Sequence, residues 1–166
     1  MNEINTVTLT PKQFQQRILA WFKIYGRKDL PWQQTKSPYR IWLSEIMLQQ
    51  TQVATVIPYF QNFIQAFPTL SSLAKADIEE VLHRWSGLGY YARARNLHRS
   101  AQIIEKEYFG KFPQDLMQLQ SLPGIGRTTA GAILALAFNK SASILDGNVK
   151  RVLTRVHAIP GSTALA

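Results

Sequence analysis

Cysteine is absent from the 166 residues. That excludes disulfides, thiol nucleophiles and thiolate-ligated zinc or iron–sulfur sites built from this chain. Histidine is scarce, with three scattered residues, His83, His98 and His157, at no ligand spacing, so a metal site made of protein side chains is not expected. Long apolar runs are missing too: nothing approaches the ~18–20 residues that cross a bilayer. Met1 to Asn5 has none of the character of a secretory leader. The expectation is a cytoplasmic chain with no membrane partner. Acidic residues are few, ten against nineteen Lys and Arg, which leaves a net charge of +9. An excess of that size on a small folded domain points to a polyanionic partner, nucleic acid before an acidic membrane.

Period-two alternation is the other absence. Helix signals fill the chain instead, and the expected class is all-α. Thr10-Pro11-Lys12-Gln13 reads as a capping box with Pro at the first helical position. Phe14, Ile18, Trp21, Phe22 and Tyr25 follow at helical spacing up to Gly26. Ser37-Pro38 opens a second helix that runs to Gln50, and a stripe from Val53 to Ile64 marks a third. Asp77 caps a helix carrying Val81, Leu82 and Trp85, which stops at Gly87-Leu88-Gly89. A longer helix spans Ala92 to Tyr108, and a short one near 114–119 leads into Leu122-Pro123-Gly124-Ile125-Gly126. New helices begin near Arg127 and at Asp146-Gly147, the last running to about His157. The chain then ends within one turn, at Ala166, and reads as a fragment.

Four segments carry chemistry. Gly124 and Gly126 let backbone amides face outward, and the helix starting at Arg127 adds its positive end, a combination suited to a phosphate. The same residues also make an ordinary tight turn, and the +9 charge favours the phosphate hairpin. Glu45 stands in a helix that is apolar almost all round, so burial is expected, and desolvation would suit it to general-acid work near neutral pH. The other reading is a narrow solvent stripe shared with Ser44 and Gln49. Asp146 before a helix is first of all an N-cap; helix amides would also keep it ionised, as an oxocarbenium-like transition state requires. A carboxyl held protonated and one held ionised together suit cleavage of a glycosidic bond. Gly87 to Arg95 places Tyr90, Tyr91, Arg93 and Arg95 around a turn, where a tyrosine could wedge beside a displaced base and the arginines meet phosphates. Trp32, following Arg27 and Lys28, reads as core.

Together these segments resemble the helix-hairpin-helix DNA glycosylase superfamily and, within it, the MutY-type adenine DNA glycosylases. The matching stretches are Gly26 to Trp32, Trp42 to Phe60, Gly87 to Leu97, Leu122 to Leu136 and Ile144 to Val152. The resemblance implies a six-helix barrel over about 31–140, with the hairpin near 114–138. It also implies an incomplete second helical lobe from 1–30 and 141–166. The implied activity is monofunctional hydrolysis, in base excision repair, of the bond to adenine mispaired with 8-oxoguanine or guanine in double-stranded DNA, by a monomer. Glu45 matches the acid that protonates the flipped adenine, and Asp146 the anion beside the sugar. Gln49 and Tyr90 match residues that enter the duplex, and Gly124 and Gly126 match the hairpin amides. Arg127, Thr128, Asn148, Lys150, Arg27 and Lys28 are the further DNA-contact candidates.

Endonuclease III-like lyases carry a lysine where this chain has Thr128, whose hydroxyl forms no imine. Longer family members continue to four cysteines that hold a 4Fe-4S cluster and to a domain that recognises 8-oxoguanine; this chain has neither. The alternatives are a DNA-binding fragment impaired in catalysis and, against Thr128, an abasic-site lyase.

Overall fold

The computed structural model describes residues 9–159 and is all-helical, with no strand among them. Residues 1–8 and 160–166, which include the expected abrupt end of the helical lobe, lie outside the described residues. Among the described residues nine helices follow in order: α1 (Pro11–Tyr25), α2 (Pro38–Leu48), α3 (Val53–Ala66), α4 (Leu70–Lys75), α5 (Ile78–Trp85), α6 (Ala92–Glu107), α7 (Leu116–Gln120), α8 (Arg127–Phe138) and α9 (Gly147–Val156). The chain divides into two compact units, one formed by residues 29–144 and the other by 1–28 with 145–166.

The larger unit is built around α2, which packs against α3, α6 and α8. Neighbours on several sides explain its lack of a polar face. Tyr39, Ile41, Trp42, Leu43, Ser44, Ile46 and Met47 are all buried. Aromatic rings fill the space around it, with Trp42 edge-on to Phe112 at 5.3 Å and Trp32 edge-on to Phe60 at 5.3 Å. Phe63 joins the same core against Trp85, at 6.0 Å between ring centroids. Full burial of such side chains stabilises by roughly 1.5–3 kcal/mol each. Tyr39 keeps its hydroxyl satisfied by donating to the Phe67 carbonyl at 2.8 Å, and burial pushes its phenol pKa up. α8 buries a run of small residues, Thr129, Ala130, Gly131 and Ala132, followed by Ile133 and Leu134.

Local signals set most helix starts. Thr10 accepts from the Gln13 amide and Gln13 reaches back to the Thr10 amide, which closes the expected capping box. Asp77 accepts from Glu79 N at 2.7 Å. α4 was not anticipated; Thr69 and Ser72 cap it reciprocally. In the smaller unit α1 and α9 contain no buried residue, and Trp21, Phe22 and Tyr25 of the expected stripe stand 45–67% exposed.

Candidate active site and nucleic-acid interface

Glu45 lies two-thirds of the way along α2, and between Ile41 and Met47 it is the one residue that is not fully buried. The expected burial is therefore corrected to partial burial, because its face of α2 opens onto a cavity of about 310 Å³. Trp32, Gln33, Thr35, Lys36, Ile41, Ser44 and Leu136 form the rest of the lining. The result is a carboxyl at an apolar, aromatic wall with several hydrogen-bonding groups around it, a usual composition for an organic ligand site. Trp32 is a core residue as expected, 7% exposed, and is also a wall of this cavity. Gln33 and Lys36 were not singled out from sequence; only the fold of the 31–37 loop over α2 brings them to Glu45.

The hairpin between α7 and α8 is a type II turn in its sequence and hydrogen bonding. Ile125 N donates to Leu122 O at 3.1 Å, Pro123 occupies the second position, and Gly124 has φ +75°. Leu122 and Ile125 are buried and anchor the turn, and Ser100 Oγ donates to Pro123 O at 2.8 Å. Gly124, Gly126 and Arg127 stay exposed, and Thr128 is half-buried. Gly126 is the N-cap of α8 and offers no side chain to the first-turn amides. Those amides therefore form the positive end of a twelve-residue helix and are open to an anion.

Gln49 is the C-cap of α2 and half-buried, with Gln50 next to it in the left-handed region at φ 58°. Tyr90 also has a positive φ, 49°, and is 63% exposed. Arg93 joins these two turns. Its Nη1 donates to the carbonyls of Ile46, Met47 and Gln49 at 3.0, 2.9 and 2.6 Å. Its Nη2 donates to Thr51 Oγ1 at 3.3 Å and Leu88 O at 3.2 Å. Arg93 thus faces inward, a correction to the reading that turned it toward phosphates; Arg95 is the exposed arginine of the pair. Burial pushes the Arg93 guanidinium pKa down, and the neighbouring Tyr90 acts the other way.

In the smaller unit Asp146 is the N-cap of α9, and its Oδ1 accepts from Val149 N at 2.7 Å. It is half-buried. Asn148 is exposed and accepts from Arg151 at 2.6 Å; Lys150 is half-buried. Arg27 is exposed, and Lys28 donates to Lys23 O at 2.6 Å. Glu45 and Asp146 belong to separate units. His98, buried, stands 3.0 Å from Ala76 O through Nε2, whereas His83 and His157 are exposed. Among the described residues no group of three or more His, Cys, Asp or Glu could hold a metal ion. With no cysteine in the chain, the donor set for a 4Fe-4S cluster is missing, and no step here involves one. No helix among the described residues is long and apolar enough to cross a membrane.

A helical body with a glycine hairpin feeding an exposed helix N-terminus defines a helix-hairpin-helix protein. The model of the HhH-GPD superfamily of base excision DNA repair proteins matches residues 43–165, and the chain belongs to that superfamily. It is 54% identical over 153 residues to an adenine DNA glycosylase of Buchnera aphidicola subsp. Acyrthosiphon pisum, covering 92% of this chain and 44% of the relative. The human adenine DNA glycosylase is 45% identical over 165 residues, covering 92% of this chain and 30% of the human protein. The chain thus spans less than half the length of these relatives. Among solved structures, a thermostable thymine-DNA glycosylase superimposes with a TM-score of 0.80 at 30% identity, over 86% of this chain and 66% of that one. Endonuclease III in a non-covalent complex with DNA shares the fold at a TM-score of 0.75 and 23% identity, over 95% of this chain and 75% of that one.

Proposed function

We propose that this chain carries the catalytic core of an adenine DNA glycosylase that hydrolyses the N-glycosidic bond of adenine mispaired with 8-oxoguanine or guanine. The observation that carries this reading is Glu45 in the wall of a cavity faced by Trp32, in a chain whose relatives bear that name. A base stacked in a duplex presents neither its ring nitrogens nor its sugar bond to such a cavity, so the nucleotide must be extruded. Glu45 then donates a proton to the adenine ring, which makes the base a better leaving group, and afterwards helps water add to the sugar. Asp146 supplies the anion that steadies the sugar cation; its place in the Ile144–Val152 segment supports that role. The exposed hairpin, with Gly124, Gly126, Arg127 and Thr128, holds the DNA backbone without reading sequence. Gln49 and Tyr90 occupy the space that the base leaves. Asn148, Lys150, Arg27 and Lys28 add phosphate or sugar contacts. Thr128 has no amine, so the reaction is hydrolysis alone.

The test is single-turnover adenine release from a duplex with one A opposite 8-oxoguanine, beside A·T and Glu45→Gln controls. Release that requires the mispair and drops at least a hundredfold in Glu45→Gln is the expected result. Release unaffected by Glu45→Gln would overturn the assignment. A second reading, a DNA-binding piece without turnover, is favoured by one observation: α9, which Asp146 caps, buries none of its residues. Salt-sensitive binding with no release would establish it.

A further inference from the structure

Arg93 is the most heavily bonded side chain among the described residues, and its bonds run between two turns far apart in sequence. The last carbonyls of a helix have no intrahelical donors and carry the negative end of its dipole. At the end of α2, three of those groups, Ile46, Met47 and Gln49, converge on one guanidinium nitrogen. The other nitrogen reaches Thr51 on that side and Leu88 and Gly89 on the turn after α5. The guanidinium also lies over the Trp85 and Tyr90 rings, 5.4 Å from each centroid. Both turns contain a non-glycine residue in the left-handed region, Gln50 and Tyr90, a conformation that persists only when its surroundings enforce it.

We propose that Arg93 is a positioning residue that fixes Gln49 and Tyr90 as one rigid wedge, so that entry into the duplex depends on a side chain that touches no DNA. The inference rests on the glycosylase reading for the word duplex, and on the hydrogen bonds alone for the clamp. Lysine cannot replace it. A single ammonium has three donors on one atom, whereas the planar fork spans two turns at once.

The experiment compares Arg93→Lys, Arg93→Met and Arg95→Met with the unaltered chain. Helical circular dichroism selects folded variants, and Arg93→Lys keeps the test open where Arg93→Met does not fold. Hydrogen exchange without DNA tests the clamp: amides of Thr51 and Leu88 are expected to exchange at least tenfold faster in both Arg93 variants and unchanged in Arg95→Met. With DNA, 2-aminopurine opposite 8-oxoguanine reports unstacking. Arg93→Lys is expected to lose most of the fluorescence rise, folded Arg93→Met to keep the salt slope of binding as before, and Arg95→Met to lower the salt slope by about one. Unchanged exchange in both turns, or a salt slope lowered by about one in folded Arg93→Met, overturns the proposal. If the unaltered chain binds the duplex without any fluorescence rise, the glycosylase reading fails, and the exchange data still decide the clamp.

Discussion

The two hairpin glycines make opposite demands, and replacing each with alanine separates the shape of the turn from its use. Gly124 has φ +75°, and a Cβ added there would lie 2.9 Å from Asn96 Cβ. An L-residue in that conformation costs about 1–2 kcal/mol, and displacing a neighbour that cannot swing away adds about 1–3 kcal/mol. Gly126 has φ −82°, open to any residue, and nothing lies within 4 Å of its added Cβ. At an N-cap alanine is poorer than glycine, but it also restricts the unfolded chain by about 0.4–1 kcal/mol, so the two effects nearly cancel. Gly124→Ala is therefore expected to lower Tm by at least about 4 °C, at roughly 2–4 °C per kcal/mol for a chain of this size. Gly126→Ala is expected to stay within about 2 °C, the same relation applied to a net of under about 0.5 kcal/mol. In duplex binding the order reverses for the folded proteins. On the proposed hairpin contact, the alanine methyl at 126 would stand where a phosphate oxygen approaches the amides, and a loss of about 1.4 kcal/mol is tenfold in affinity. Thermal unfolding and a fluorescence-anisotropy titration at fixed salt measure both. Equal stability of the two variants, or undiminished DNA binding by Gly126→Ala, would refute the reasoning.

Asp146 can be dissected in the same way. Asp146→Asn keeps an N-cap acceptor for Val149 N and removes the charge, so helicity is expected to hold while adenine release falls. Asp146→Ala also loses the cap, at about 1 kcal/mol. Arg127→Met, at the exposed start of α8, is expected to weaken binding to all duplexes alike and to reduce the log–log salt slope by about one. The Tyr39 phenol is raised above its ordinary value of 10.0 by burial, so the folded chain holds a proton that the unfolded chain releases first. Its contribution is complete below pH 10.0 and declines as pH rises beyond that value. Tyr39→Phe is expected to cost about 1 kcal/mol at neutral pH through the lost bond to Phe67 O, and to flatten the alkaline limb of denaturant midpoints against pH.

What could be read without coordinates followed the range of the interactions. Caps act over three residues, so Thr10, Asp77 and Asp146 announced their helices. α4 escaped because its reciprocal cap uses Ser72, which lacks the length of the usual Glu or Gln. The all-round apolar character of α2 correctly marked the centre of the core. A stripe shared by Glu45, Ser44 and Gln49 was the other reading, and periodicity could not tell that Ser44 is buried while Glu45 opens onto a cavity walled by the 31–37 loop and Leu136 of α8. Arg93 was misplaced for a similar reason. Beside Arg95 in an exposed-looking turn its charge suggests phosphate, whereas its partners at the end of α2 lie more than forty residues earlier in the chain. The apolar stripe of α1 was also legible, but periodicity alone does not say that Trp21 and Tyr25 remain exposed.

α8 begins at the hairpin and ends at the cavity. Arg127 opens it beside Gly126, and Leu136, nine residues on, lines the space around Glu45. At 1.5 Å per residue the separation along its axis is about 14 Å, close to the rise of four stacked base pairs. On the proposed reading the helix is a ruler: a hairpin holding the backbone at one end would set how far along the strand a nucleotide must sit to reach the carboxyl at the other. One residue inserted into α8 would turn Leu136 by about 100° and lengthen the gauge by about 1.5 Å, uncoupling the proposed grip from the pocket with every site residue still present.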